Sequence, residues 1–561
     1  MDFVLTLHSH LPYVLQHGRW PHGSDWLSEA AFDTYLPLLE VLDHLETEGV
    51  PSPVTLGITP ILANQLSHPE FARELSAFLT QRLEACDEAT DAFAAQGEEH
   101  LIPLAGFWRE RIRRLRRRFE RHGGDLARAF QAHAASGRIE LLSSAATHGF
   151  LPLLGRDESI GLQLAVGRME HRRLFGREPS GCWVPECAYR GGGPWQPDPA
   201  ARPSGFRPGI EEHLAAHDYL YFFIDAHLAE AGRPLGLYRE GAWPDGGSLV
   251  DEDALDTPSR RSPYRTYEVA PRPGRSSVVA FVRDPHSSRQ VWSRHGGYPG
   301  DPGYLEFHKI RYPGGLKFWR VTHPAADLGL KEPYEHNTAR ARAWAHAGHF
   351  HWLLATLEAS PRPDGETVIV APFDTELFGH WWFEGVDFIG DLYRRLHRRG
   401  GPRTRTAGAH LREHPAEAAV ALAEGSWGAE GDFRMWLNPS TRWTWERLWP
   451  LEDRFWAIAG EALRDPGREA VLAQAARELL LLQSSDWQFI ISTGAAADYA
   501  ATRFLGHAED LTALLDTLDV GGDAAAGGAL AERLRRRDDI FPGVLDAVAA
   551  VVTSSPAAVA G

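Results

Sequence analysis

Cysteine is scarce in this chain. Three residues in 561 (Cys86, Cys182 and Cys187) are too few, and odd in number, for a disulfide framework. Cys182 and Cys187 flank Glu186, but no CxxC spacing or ligand cluster accompanies them, so plain packing is expected. Positive charge is also short, with 58 Lys and Arg against 75 Asp and Glu and a net charge of −17. That balance argues against a nucleic-acid partner, whose phosphates demand basic surface. No apolar run is long enough to span a bilayer. The chain starts on a strand-like run, Phe3 to Leu7, without a basic segment and long apolar stretch, so a cytoplasmic address is expected.

Aromatic residues, by contrast, are plentiful: 19 Trp, 26 Phe and 14 Tyr. Several cluster with Gly and Pro in loop-like stretches, where their flat faces suit the C–H faces of sugars. The length implies two or three domains. A hydrophobic content of 43% and a charged content of 24% are those of an ordinary globular protein.

The chain is organised around Gly181 to Arg190. A helix-like run with Ile160, Leu164 and Met169 ends at Gly176, and a short apolar strand then meets Pro185 and Glu186. A proline does not continue a central strand, so the acid stands at the strand's C-terminal end, where barrel enzymes keep their chemistry. The pattern recurs once. Ala339 to Leu357 reads as a helix, Thr367 to Val370 as a strand, and Pro372 and Asp374 follow. Two acids delivered this way form a candidate facing pair.

Other strands are read at Phe3–Leu7, Pro53–Ile58, Ile139–Leu142, Tyr219–Ile224 and Ser277–Val282. Long or helical connections join all seven, so a parallel α/β barrel is the economical topology. Alternation along the first strand puts His8 and His10 on one face. The barrel is assigned to residues 1–403, with inserted loops at 231–276 and 285–335. A helical domain follows at 404–545 and a flexible tail at 546–561. The arginine-rich run Arg109 to Arg121 is read as a solvated helix face paired with acids.

Paired acids suit glycosidic-bond chemistry, in which one attacks the anomeric carbon while the other exchanges a proton with the leaving oxygen. Carboxylates satisfied by barrel arginines are the alternative that the residues leave open. Five motifs then occur in order: His8 to Tyr13, Thr147 to Gly149, Trp183 to Tyr189, Ala371 to Trp382, and Ser485 to Phe489. They resemble the characteristic regions of glycoside hydrolase family 57, and Val291 to Asp301 resembles more narrowly its 1,4-α-glucan branching enzymes.

The resemblance implies an incomplete (β/α)7 TIM-like barrel with a C-terminal α-helical domain. It implies Glu186 as nucleophile and Asp374 as acid/base in a retaining transfer of an α-1,4-linked glucan to a 6-hydroxyl. A retaining pair is expected about 5–5.5 Å apart. It implies substrate contacts from His10, His148, Tyr238, Arg283, Gly300, Trp427 and Asp486, with Trp292 and Trp436 as glucan platforms. No cofactor or metal is implied. The expected partner is an α-glucan (amylose, amylopectin or glycogen), and the expected state a monomer or small homo-oligomer. The rivals are a family 57 α-amylase or 4-α-glucanotransferase, a metal-dependent deacetylase-like barrel using His8, His10 and Asp225, and a catalytically dead glucan-binding protein.

Overall fold

A computed structural model describes residues 1–561 except 20–21, 196–204, 231–260, 270–276, 293–295, 324, 362–364, 520 and 555–561. Seven parallel strands form its centre: β1 (Asp2–Ser9), β2 (Val54–Ile58), β3 (Ile139–Ser144), β4 (Gly181–Trp183), β5 (Tyr221–Ile224), β6 (Val279–Val282) and β7 (Val368–Asp374). They pair in the order β7-β1-β2-β3-β4-β5-β6, so the chain closes the sheet by bringing its last strand beside its first. Between β6 and β7 no ladder is present among the described residues, and one backbone bond, Asp284 N–H to the Val370 carbonyl at 2.8 Å, crosses the gap. The barrel is therefore incomplete, and among the ten strands of its sheet in the described residues are the seven expected ones.

The gap explains Pro372. It sits inside β7, opposite Thr6 of β1, where the sequence reading had placed a strand stop. A strand with one free edge has no use for an N–H on that side, so a proline is tolerated there.

Strand parity positions the chemistry. Val4, Phe281, Val368 and Val370 share one buried cluster inside the barrel, while Phe3, Leu5 and Leu7 pack outward under the helices. Counting in twos along β1, β6 and β7 carries the inward face to His8, Arg283 and Asp374. Helices cover the outside. Asp157–Phe175 ends at Gly176 in the left-handed region (φ 71°), as its sequence predicts. Ile102–Arg121 buries Trp108, Ile112, Leu115 and Phe119, while Arg109, Arg114 and Arg118 pair with Asp87, Glu40 and Asp43. The arginine run is thus an ion-paired helix face.

Two domain boundaries differ from the sequence reading. Arg403–Thr404 still pairs with β1, and Ala418–Val420 with Tyr267–Val269, so the barrel's sheet extends past residue 404. The Ala-rich texture there belongs to a short helix, Ala407–Glu413, fixed beneath the barrel by Ala407 N–H to Thr55 and by His410 to Asp2. The expected tail begins with a helix, Val544–Ser554, whose Val544, Val548 and Val551 are buried. The helical domain proper runs from Arg442 through this last helix.

Candidate active site

Glu186 does not lie on a strand. After β4, Val184 and Pro185 lead into a tight turn in which Glu186 has φ 60° and Cys187 φ 48°. His148, past β3, has φ 58°. Left-handed backbone costs a non-glycine residue about 1–3 kcal/mol and clusters where a side chain must be aimed. Here the aim is toward the barrel mouth, and neighbouring segments hold it. Residues 425–427 run beside the turn: Tyr189 and Gly425 exchange backbone bonds of 2.8 and 3.1 Å, and Trp427 N–H reaches the Glu186 carbonyl at 2.9 Å. This docking sets the Trp427 indole N–H on Glu186 Oε2 at 2.8 Å.

Three imidazoles crowd the same mouth. His8 stacks on Trp183 at 4.6 Å, His10 stacks on His148 at 4.0 Å, and the Nε2 atoms of His8 and His148 meet at 3.0 Å. Burial first, then the neighbouring His10, drives the His8 and His148 pKa values well below the ordinary one, so both rings are neutral. His10 is fixed at both nitrogens, by Thr59 at 3.0 Å and by Asp486 at 2.8 Å. His148 Nδ1 meets Ser485 Oγ at 2.9 Å and lies 3.8 Å from Glu186 Oε1. The helical domain therefore supplies Ser485, Asp486 and the grip on the β3 loop, where Ser485 N–H bonds the His148 carbonyl.

The acids are both raised. Burial lifts the Glu186 carboxyl to about 8, aided by Asp374 and Asp486 and opposed by the Trp427 N–H. Burial also lifts Asp374 well above the carboxylate range, helped by Glu376 and opposed by Arg283. Glu376 is itself held near 7 by burial, while the Tyr35 hydroxyl and His10 N–H donate to it. Tyr35 ends a π-helical turn, Ala31–Tyr35, that is wholly buried. Such turns are rare and gather at functional sites. Thr34 Oγ1 accepts from His380 N–H at 3.1 Å, so the turn also fastens the loop after Asp374.

Arg283 bonds Asp225 at 3.0 Å and Ser288 at 2.7 Å, with Trp292 and Trp427 each 5.8 Å away. Trp292 packs edge-on to Trp427 at 5.6 Å. Trp292 and Gly300 line a groove beside this group. Trp436 differs from its expected role as a platform. It is fully buried, stacked on Phe150 at 4.4 Å, with Gly428 against its ring. It offers no open face, only an indole N–H without a partner among the described residues. Tyr238 lies outside the described residues.

The metal alternative calls for His8, His10 and Asp225 around one cation. Asp225 pairs with Arg283 at 3.0 Å. Among the described residues, the His and acid groups close enough to share a cation are Asp2–His410–His414 and His17–His507–Asp538, and neither includes His8, His10 or Asp225. Sequence reasoning missed Tyr35, Thr59 and Ser485. Ser485 lies within one of the five motifs, while Tyr35 carries no signal beyond its place in the helix-like run Asp33 to Leu45 and Thr59 none beyond closing a strand.

The matched family decides what this assembly is. Residues 4–423 match glycosyl hydrolase family 57, and residues 449–547 match the C-terminal domain of 1,4-alpha-glucan branching enzymes. The chain belongs to glycosyl hydrolase family 57. A 1,4-alpha-glucan branching enzyme of Thermococcus kodakarensis is 38% identical over 92% of this chain and 73% of its own. Its crystal structure superposes with a TM-score of 0.87, covering 99% of this chain and 97% of that one. A probable branching enzyme of Mycobacterium tuberculosis is 31% identical over 97% of both chains. The likeness extends to a protein of another named activity. The alpha-amylase AmyC of Thermotoga maritima is 28% identical, with a TM-score of 0.77 over 98% of this chain and 99% of its own.

Proposed function

We propose that this family 57 enzyme is a 1,4-α-glucan branching enzyme acting by retaining double displacement. The observation that carries the mechanism is the asymmetry of the acid pair. Both carboxyls are raised by burial, so the pair holds a proton near neutrality, while Trp427's N–H favours charge on Glu186. Glu186 attacks the anomeric carbon. Asp374 gives its proton to the glycosidic oxygen as that bond breaks, leaving a glucan esterified to Glu186. Asp374, now a carboxylate, takes the proton of an acceptor's 6-hydroxyl, whose oxygen displaces Glu186 and completes the α-1,6 bond. His148 and His10 contact the sugar being transferred, joined by Arg283, Trp427 and Asp486.

Branching rather than hydrolysis is favoured by the match of the helical domain to branching-enzyme C-termini and by the two relatives named as such. The substrate is a soluble α-glucan such as amylose, amylopectin or glycogen, and the setting is glycogen synthesis in the cytoplasm by a monomer or small homo-oligomer. Among the described residues no helix is long and apolar enough to cross a membrane. The likeness to an α-amylase keeps hydrolysis as the second reading. Incubation with amylose, with α-1,6 linkages and new reducing ends counted by proton NMR, separates the two. Branching yields growing α-1,6 signal with few reducing ends, both abolished in Glu186→Gln. Reducing ends without α-1,6 signal would make it a hydrolase.

A further inference from the structure

Beside Asp374 lies a groove of about 180 Å³ whose walls include Trp292, Gly300, Phe307, His308, Leu377 and Trp381. Leu377 and Trp381 belong to the loop that Asp374 itself begins. Trp292 packs against Phe373 at 6.2 Å and against Trp427 at 5.6 Å, and Trp427 is bonded to Glu186. Through Trp292 the groove therefore adjoins the immediate neighbours of both acids, Phe373 before Asp374 and Trp427 on Glu186. None of the histidines that crowd Glu186 lines it.

Trp381 is 39% exposed, although its neighbour Trp382 is 1% exposed. Its backbone has no freedom to fold the ring away. Gly379 N–H bonds the Trp382 carbonyl at 2.7 Å and His380 N–H bonds Thr34 Oγ1. Gly379 has φ 117° and lies so close to the Asp33 carbonyl that any Cβ would overlap it. Across the groove, His308 rests on Phe307 at 3.7 Å, and its Nδ1 is fixed at 2.8 Å from Glu306, which Lys331 pairs at 3.0 Å.

We infer that this groove receives the acceptor glucan, and that Trp381 is the platform on which an acceptor glucose stacks. The inference rests on the branching reading above. In a double displacement, leaving chain and acceptor use the same side, the one from which Asp374 exchanges its proton with the bridging oxygen. The groove is built from Asp374's own loop, on that side. Its aromatic and aliphatic walls match sugar C–H faces and give water few partners, as a transferase that must spare its glycosyl-enzyme from hydrolysis requires.

The test compares wild type with Trp381→Ala and Trp381→Tyr in two assays. The initial burst of fluoride from an α-maltooligosyl fluoride, the first equivalent per enzyme before the ester is discharged, reports attack by Glu186, because so small a leaving group does not use the groove. The ratio of α-1,6 bonds to new reducing ends on amylose reports acceptor capture. Trp381→Ala keeps the fluoride burst near wild type, lowers the ratio about tenfold and raises the maltooligosaccharide concentration needed for half-maximal transfer, and Trp381→Tyr recovers most of the ratio. An unchanged ratio overturns the proposal. So does an equal fall in the fluoride burst and branching, which would mark a donor-side or merely structural role. If the wild type makes no α-1,6 bonds, the branching reading fails, and transfer to added maltooligosaccharide judges the groove by the same comparison.

Discussion

The Trp427 indole N–H, 2.8 Å from Glu186 Oε2, makes a prediction that separates electrostatic support from sugar contact. In Trp427→Phe the backbone bond from residue 427 to the Glu186 carbonyl survives, and an aromatic ring still fills the space between Trp183 (5.0 Å) and Trp292 (5.6 Å). What goes is one donor to a carboxylate. A hydrogen bond to a charged group is worth about 1.5–3 kcal/mol, because the charged form is the one it stabilises. At about 1.4 kcal/mol per pKa unit, Glu186 rises by about 1–2 units in the variant.

As the proposed nucleophile, Glu186 must be ionised to attack, so the acid limb of kcat/KM is expected to follow its pKa. In the free chain burial holds that carboxyl near 8, with the N–H restraining a further rise. Without it the limb moves to higher pH. Below the wild-type limb the variant loses about 10–100-fold in kcat/KM, the same shift expressed as rate. Well above the limb the loss shrinks toward the cost of a smaller ring. Initial rates on soluble amylose across the limb are the assay. A uniform loss with an unmoved limb would refute the reasoning and reassign Trp427 to the sugar alone.

Other consequences follow from the same geometry. The stability of Glu186→Gln relative to wild type grows as pH rises from 4.5 to about 8 and stays at its maximum above, because over that range the unfolded chain releases a proton that the folded one keeps, so wild-type stability falls as pH rises. The growth reaches on the order of a few kcal/mol and is absent below that window, and denaturant melts at several pH values check it; a difference that does not change with pH would contradict it. Gly379→Ala places a Cβ on the Asp33 carbonyl at a left-handed position, so unfolding should show a loss of about 3 kcal/mol or more, and a variant as stable as wild type would contradict the packing. The thiols of Cys86, Cys182 and Cys187 are buried and their pKa values raised by burial, to about 11 for Cys86, so a thiol reagent labels none in the native protein and three after denaturation.

Much of this was legible in the sequence where period decides position. The alternation that makes Val4 and Val368 face the barrel interior carries His8 and Asp374 to its mouth, and no tertiary information is needed for that step. Glu186 and His148 escaped such counting, because each is aimed by a left-handed turn that parity does not describe. Trp427 and Asp486 fell within recognisable segments, but their partners lie 241 and 476 residues away, at Glu186 and His10. Trp436 shows the opposite failure. An abundance of tryptophan reads as glucan platforms, yet packing against Phe150 leaves that ring no face to offer.

The fold and the acid pair do not by themselves choose among the family's activities. The α-amylase relative overlays nearly the whole chain, and the first half-reaction, ester formation on a carboxylate, is common to hydrolysis and transfer. The difference lies in what reaches the ester next. Water needs no site, whereas a glucan 6-hydroxyl needs a surface that holds the second chain in line with Glu186 while Asp374 waits for its proton. The residues that decide the activity must therefore lie outside the acid pair and its histidines, on the side Asp374 faces. In this chain the groove proposed for that side is bounded by Trp292 and Gly300 from one connection and by Leu377 and Trp381 from the loop of the acid itself.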